Sequence, residues 1–284
     1  MLAAPGPRLL AASDLHVAMA DNRKIVTAMR PETASDWLVL AGDVGEFMAD
    51  VEWALGTLSE RFAKVVWVPG NHELWTHPRD PVTLRGEQRY THLVEVCRSL
   101  GVVTPEDPYP VWQGAAGSVA IAPLFLLYDY SFLPPGAVTR ADGLSRTYRA
   151  RVVCSDERLL HPDPYPSREA WCLARLEVTE RRLAGLDPEI PVVLVNHFPL
   201  VREPTQRLRH PEFAQWCGTT RTARWHVRFN AAAVVYGHLH IPLTAWFDGV
   251  RFEEVSLGYP REWQRRSSPP CLPRRILPAE PDAR

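Results

Sequence analysis

The sequence is poor in lysine, in net charge and in long apolar runs. Only Lys24 and Lys64 are lysines among 32 basic residues, and 33 acidic residues leave a net charge of -1. This balance gives no bulk electrostatic case for a protein that binds nucleic acid or a membrane surface, although a local basic patch stays possible. No apolar run reaches the about 18 residues of a membrane-spanning helix, so we expect no membrane span.

Paired cysteines are also missing. The five cysteines form no C-x-x-C pair and their number is odd, which argues against a disulfide scaffold and against a thiolate zinc site. We expect reduced thiols, which are typical of a cytoplasmic protein, at Cys97, Cys154, Cys172, Cys217 and Cys271. The excess of arginine over lysine and the 27 prolines fit a GC-rich coding bias, so the arginines alone do not indicate a phosphate-binding surface.

The pattern of apolar residues predicts an α/β fold. Short apolar runs at 9–13, 37–41 and 65–68 alternate with helical patterns, which favours parallel strands covered on both faces. The runs PVVLVNH and AAAVVYGH repeat this alternation later in the chain. An Asp-Gly turn at 248–249 predicts a final hairpin, so the sheet is expected to be mixed.

Residues 1–266 are interpreted as a single domain. The stretch 74–190 interrupts the alternation, and it includes a helix candidate at 167–184 with Ser167 as its cap. We interpret this stretch as an insertion over the working edge of the sheet. Residues 267–284 are rich in proline and charge and are expected to form an extended or disordered tail.

Five predicted strands end in carboxylate, amide or imidazole side chains. Ligands of open α/β sheets bind beyond the carboxyl ends of the strands, so these side chains are expected to converge. Alternate residues of an extended chain point the same way, which pairs residue 14 with 16 and residue 238 with 240. The candidate ligands are Asp14, His16, Asp43, Asn71, His197, His238 and His240. This set is too large for one tetrahedral zinc ion and suits two metal ions about 3.5–4 Å apart.

These residues stand in blocks that resemble the calcineurin-like metallophosphoesterase superfamily. The blocks are Asp14-x-His16, Gly42-Asp43, Gly70-Asn71-His72-Glu73, His197 and Gly237-His238-x-His240. The resemblance covers most of the chain with every ligand position present, and it implies a four-layer αββα sandwich of two mixed β-sheets. It also implies a dinuclear centre in which Asp43 is shared. One metal would further take Asp14, His16 and His240, and the other Asn71, His197 and His238.

The resemblance further implies hydrolysis of a phosphoester by a hydroxide that bridges the two metals. His72 would be the general acid or would stabilise the leaving oxygen, an effect of about 10²–10⁴-fold. A ligand set without sulfur suits Mn²⁺ first, with Fe, Zn²⁺, Co²⁺ or Ni²⁺ as alternatives. Candidates for supporting the ligands or contacting the substrate are Glu73, Trp75, His77, Arg146 and Arg149.

The residues leave the substrate and the oligomeric state open. The near-neutral charge and the insertion favour a phosphomonoesterase whose partner is a small-molecule phosphoester. The alternatives are a phosphodiesterase acting on cyclic nucleotides or nucleic acid, a phosphoprotein phosphatase, and a non-catalytic binding scaffold. A nuclease would need a basic stripe with stacking aromatic residues, and a degenerate scaffold would have lost ligands.

Overall fold

Two β-sheets form the centre of the protein, in a computed structural model that describes residues 6–115, 117–267, 270 and 272–279. The strands are β1 (Leu9–Ala12), β2 (Trp37–Leu40), β3 (Lys64–Trp67), β4 (Val111–Gly114), β5 (Gly117–Pro123), β6 (Val192–Val195), β7 (Ala231–Tyr236), β8 (Leu243–Phe247), β9 (Val250–Glu254) and β10 (Arg274–Leu277). The strand order is β10-β1-β2-β3 in one sheet and β4-β5-β6-β7-β9-β8 in the other. Both sheets are mixed, because β10, β4 and β8 are antiparallel to their neighbours.

The described helices are α1 (Ala20–Ala28), α2 (Met48–Ser59), α3 (Asn71–Leu74), α4 (Gly86–Ser99), α5 (Arg140–Arg149), α6 (Asp156–Leu159), α7 (Arg168–Ala184), α8 (Trp225–Arg228) and α9 (Pro260–Trp263). Among them, α1, α2, α4 and α7 pack against the outer faces of the sheets. Three 3-10 helices follow β6, at Glu203–Arg207, Pro211–Trp216 and Thr220–Thr222.

Alternation along the strands separates two cores. In β1, Leu9 belongs to a buried cluster that also contains Val193 of β6, and this cluster lies between the sheets. The next residue, Leu10, belongs to a second cluster that also contains Leu55 of α2 and Leu194 of β6. Since neighbouring side chains of a strand point to opposite faces, the central strands are buried on both sides. The result is a four-layer αββα sandwich, which confirms the predicted fold class.

The parallel strands bring their carboxyl ends to one seam. β1, β2 and β3 are parallel in the first sheet, as are β5, β6, β7 and β9 in the second. Beyond β1, the Ser13 N–H donates to Val255 O at 3.1 Å, and the Leu257 N–H donates to Ser13 O at 2.9 Å. These bonds join the two sheets where their strands end, so that the turns of both sheets face a common space.

Two local predictions are confirmed. Asp248 and Gly249 have φ values of 49° and 80° between β8 and β9, as a tight hairpin turn with the right twist requires. Ser167 caps α7, and its side chain accepts a hydrogen bond from the Ala170 N–H.

The insertion and the tail differ from expectation. β5 pairs in parallel with β6 and β4 lies beside β5, so residues 111–123 complete the second sheet and are not an insertion. In the tail, Arg274–Leu277 forms β10 against β1, while residues 268–269, 271 and 280–284 lie outside the described residues. Both differences arise because strand pairing is a tertiary contact that a short apolar run does not specify.

No helix in the described part of the chain is both long and apolar enough to cross a membrane. Cys97, Cys154, Cys172 and Cys217 form no disulfide, and Cys271 lies outside the described residues.

Candidate metal centre

The seven candidate ligands stand in the turns that follow β1, β2, β3, β6 and β7. Five of them have a left-handed backbone, with φ values of 53° at Asp14, 40° at His16, 53° at Asp43, 70° at His238 and 56° at His240. Such values are uncommon for residues with a Cβ and persist only where the surrounding structure enforces them. Five such residues lie in the turns at the seam, so the structure holds these side chains in place at the cost of backbone strain.

Close packing of the turns depends on glycine. A Cβ on Gly70 would lie 2.0 Å from Asp43 Oδ1, and a Cβ on Gly237 would lie 2.3 Å from Asp14 Oδ2. The missing side chains let two turns approach two buried carboxylates.

Glu73 ties two of these turns together. Its buried carboxylate accepts hydrogen bonds from the backbone N–H groups of Gly70 at 2.9 Å, Asp43 at 3.0 Å and Val44 at 2.8 Å. Burial, with the nearby Asp43 charge, raises the pKa of Glu73 to about 7. Glu73 was predicted to support the ligands or to contact the substrate, and its hydrogen-bond partners are the backbone amides of the turns that carry the candidate ligands.

Asp14, His16 and His240 form the first half of the cluster. His240 Nε2 lies 3.0 Å from Asp14 Oδ1 and 3.3 Å from His16 Nε2. Their ligand atoms all lie within 4.8 Å of one another. Glu262 Oε2 lies 2.7 Å from the far nitrogen of His240, Nδ1, and so orients its ring.

The other four residues form the second half. His197 Nε2 lies 3.1 Å from Asn71 Oδ1, 3.2 Å from His238 Nδ1 and 3.4 Å from Asp43 Oδ2. The far nitrogen of His197, Nδ1, lies 2.9 Å from Ala41 O. Ligand atoms of Asp14, Asp43 and His197 also lie within 4.8 Å of one another, which makes the two halves one cluster.

The donor set fits divalent metal ions. Burial lowers the pKa values of His16 and His238 to about 3, so both rings are neutral and keep a lone pair at neutral pH. Burial would also lower the pKa values of His240 and His197, but Asp14 and Asp43 respectively raise them to about 10. The carboxylates thus favour positive charge at this place, and nitrogen lone pairs face it.

His72 lies at the edge of the cluster. Its Nε2 is 3.7 Å from Asp43 Oδ2, its Nδ1 is 3.1 Å from Glu46 Oε1, and its ring stacks on Trp75 with centroids 3.6 Å apart. Burial alone would lower the pKa of His72, but Asp43 and Glu46 together raise it. The imidazole is therefore favoured as a proton donor beside the candidate ligands.

An open cleft of about 870 Å³ lies over the cluster. Five site residues line it, namely Asp43, Asn71, His72, His238 and His240. Residues 151–155 and 207–210 form walls, and Tyr259, Arg261 and Glu262 lie at the rim. Arg151, Arg207, Arg209 and Arg261 are exposed here and make no ion pair with a described carboxylate.

Three of the predicted supporting residues lie elsewhere. His77 packs against Phe47 with ring centroids 4.9 Å apart and does not line the cleft. Arg146 and Arg149 line a separate surface depression, and Arg146 is paired with Asp142 at 3.2 Å, one helical turn earlier. By contrast, Trp75 does line the cleft.

Sequence reasoning missed several residues that contact the cluster. Tyr259 stacks on His16 with centroids 4.4 Å apart, Glu262 contacts His240, and Asp156 contacts Asn71. Glu46 also contacts His72. Tyr259, Glu262 and Asp156 lie outside the ligand blocks, and the segment GYPREW is marked in the sequence only by its position after the last strand before the tail.

Comparison with known proteins gives consistent matches. The model of the calcineurin-like phosphoesterase family matches residues 7–242. The acyl-carrier-protein phosphodiesterase PptH of Mycobacterium tuberculosis is 55% identical over 272 residues, which are 96% of this chain and 84% of that protein. The crystal structure of phosphopantetheinyl hydrolase (PptH) from the same organism has 54% identity and a TM-score of 0.94, and the match covers 96% of this chain and 97% of that chain.

Replacing Asp43 with asparagine should reduce metal binding, because it removes the carboxylate charge that the family resemblance assigns to both metal ions. We expect two Mn²⁺ ions per chain in the wild-type protein and at most one in the variant, measured by elemental analysis after dialysis against Mn²⁺. Asp142→Asn removes an ion-paired carboxylate outside the cleft and serves as control. Two ions per chain in Asp43→Asn would contradict the shared role.

Proposed function

The chain belongs to the calcineurin-like phosphoesterase family, and on this premise we propose that it hydrolyses the phosphodiester that joins a phosphopantetheinyl group to a carrier protein. That it is a phosphoesterase follows from the family. The finer proposal is carried by 55% identity, over 96% of this chain, with a protein named as an acyl-carrier-protein phosphodiesterase. Identity of this extent over 272 residues is not confined to the ligand blocks, which supports a shared substrate class.

This proposal replaces the small-metabolite phosphomonoesterase expected from the sequence. That expectation depended on an insertion that encloses the site. The cleft is instead open, and its walls at 151–155 and 207–210 leave a mouth toward solvent. A substrate arm that enters from a second protein suits such a mouth better than a small metabolite, which gains most from an enclosed pocket.

The cleft lining combines cationic and apolar side chains. Arg207 and Arg209 offer guanidinium groups that suit a phosphodiester anion, while Val153, Leu208 and Ile241 offer apolar contact. A phosphodiester that continues into a long uncharged arm presents both kinds of surface. A cyclic nucleotide would use the guanidinium groups of this cleft but would leave its apolar side chains without a matching surface.

We infer that the centre holds two divalent metal ions, with Mn²⁺ as the first choice. Asp14, His16 and His240 would hold one, Asn71, His197 and His238 the other, and Asp43 both. When bound there, the ions would neutralise phosphoryl charge and lower the pKa of a coordinated water.

His72 is the proposed proton donor. Asp43 and Glu46 raise the pKa of His72, which favours the protonated ring, and Glu46 fixes the ring through Nδ1. In the reaction, a water oxygen forms a new bond to phosphorus while the bond from phosphorus to the departing oxygen breaks. The departing oxygen takes the proton from Nε2, and the attacking water gives up a proton to solvent, from which His72 is protonated again. The products are a phosphomonoester and a free hydroxyl group.

The substrate proposal is tested with Mn²⁺-loaded enzyme and a carrier protein that bears the phosphopantetheinyl group. We expect intact-protein mass spectrometry to show loss of the whole phosphorylated arm. We also expect bis-p-nitrophenyl phosphate to be hydrolysed faster than p-nitrophenyl phosphate, because the first is a diester. An unchanged carrier protein together with rapid hydrolysis of the monoester would refute the proposal.

The His72→Ala variant should retain both metals and lose about 10²–10⁴-fold in kcat, since it removes a proton donor and no ligand. Steady-state kinetics on bis-p-nitrophenyl phosphate and elemental analysis measure the two effects. His77→Ala, a nearby histidine outside the cleft, should leave both unchanged. Loss of metal from His72→Ala would make His72 a ligand instead.

A further inference from the structure

A buried carboxylate of the segment between β5 and β6 contacts the metal centre from outside the cluster. Asp156 is the first residue of α6 and is fully buried. Its Oδ1 accepts one hydrogen bond from the Asn71 side-chain amide at 2.9 Å and another from the Trp75 indole N–H at 2.6 Å. Its Oδ2 has no hydrogen-bond partner among the described residues.

The cost of burying this carboxylate calls for a role. Among the described residues Asp156 makes no ion pair, and both groups that donate to its side chain are neutral. A buried polar oxygen without a partner is unfavourable, and Oδ2 is such an oxygen among the described residues. The two groups that donate to Oδ1, the Asn71 amide and the Trp75 indole, both belong to the site.

Asp156 orients the Asn71 amide. An amide presents an oxygen at one end and an NH₂ group at the other, and Asp156 Oδ1 is an acceptor here, since it also receives the Trp75 indole N–H. The NH₂ end must therefore face Asp156, which turns the Asn71 oxygen toward His197, 3.1 Å from its Nε2. A flipped amide would place its oxygen against the carboxylate. Asp156 thus selects the one orientation in which Asn71 offers its oxygen to a metal.

The same carboxylate oxygen supports the proposed proton donor. It holds the indole of Trp75, and the His72 ring stacks on that indole with centroids 3.6 Å apart. The residues just before it, Cys154 and Ser155, line the cleft. One side chain therefore connects a substrate wall to a candidate ligand and to the stacking partner of His72.

We propose that Asp156 is a positioning residue that directs the carbonyl oxygen of Asn71 into the centre and thereby sets the affinity for one of the two metal ions. Asp156 acts through Asn71 and touches neither metal nor substrate. The inference rests on the proposed metal centre and is independent of which phosphodiester is cleaved.

The test is a calorimetric titration of Mn²⁺ into metal-free protein. Asp156→Ala should weaken one of the two Mn²⁺ sites by about 10–100-fold and leave the other unchanged. Asp156→Asn keeps the shape but can present either amide end, so it should cause a smaller, measurable loss. In an Asn71→Ala background neither change at Asp156 should weaken binding further, because the effect passes through Asn71.

Glu157→Ala is the matched control. Glu157 lies in the same segment and bonds Tyr130 and Trp216, both at 2.8 Å, without contacting a candidate ligand. This variant should bind both ions as the wild type does, and an equal loss would make the effect general and overturn the proposal.

Unchanged affinity in the Asp156 variants, or a full additional loss in the Asn71→Ala background, would also overturn it. If Asp156→Ala does not fold, Asp156→Asn and its cycle with Asn71 decide the matter. A wild-type protein that binds no Mn²⁺ would refute the centre itself, whereas two ions bound equally well by every variant would refute the role of Asp156 alone.

Discussion

The structure depends on the burial of two carboxylates, Asp14 and Asp43, at the seam where the two sheets meet. Two such charges repel each other and lose their hydration, so they are tolerated only with strong compensation. The Ser13 and Ser256 hydroxyls donate to Asp14 Oδ2 at 2.6 and 2.7 Å. The backbone N–H of His72 donates to Asp43 Oδ1 at 2.9 Å. The remaining oxygens face imidazoles, which makes the seam a place that requires positive charge.

Most features around the seam follow from this requirement. The left-handed turns aim the side chains inward, and the glycines at 70 and 237 let the turns close around the carboxylates. Glu73 then fixes two of the turns to each other through backbone amides. The central strands are buried on both faces, and the stability gained by this burial offsets the backbone strain in the turns.

The α/β class and the seven candidate ligands could be predicted because both depend on patterns that are local in sequence, whereas the four-layer arrangement was implied by the family resemblance. Each candidate ligand follows closely on an apolar strand, and parallel strands bring such positions together. The supporting contacts are not local, since Asp156 lies 85 residues from Asn71 and Glu262 lies 22 residues from His240. Arg146 and Arg149 were candidates for contacting the substrate because they are close to each other in sequence, but they line a separate depression. Closeness in sequence does not determine which surface of the protein a helix faces. β10 was missed because a four-residue strand needs its partner, β1, to be recognised.

The chemistry and the substrate specificity have separate structural origins. The ligands come from strand-end turns, whereas the cleft walls come from residues 151–155 and 207–210, outside the sheets. Because these walls lie outside the ligand blocks, the blocks indicated a phosphoesterase but did not specify its substrate. Asp156 lies where the two parts meet, directly after one wall and within 2.9 Å of a candidate ligand. A change in that wall would therefore act on the metal centre as well as on the substrate, which limits how freely the wall can vary.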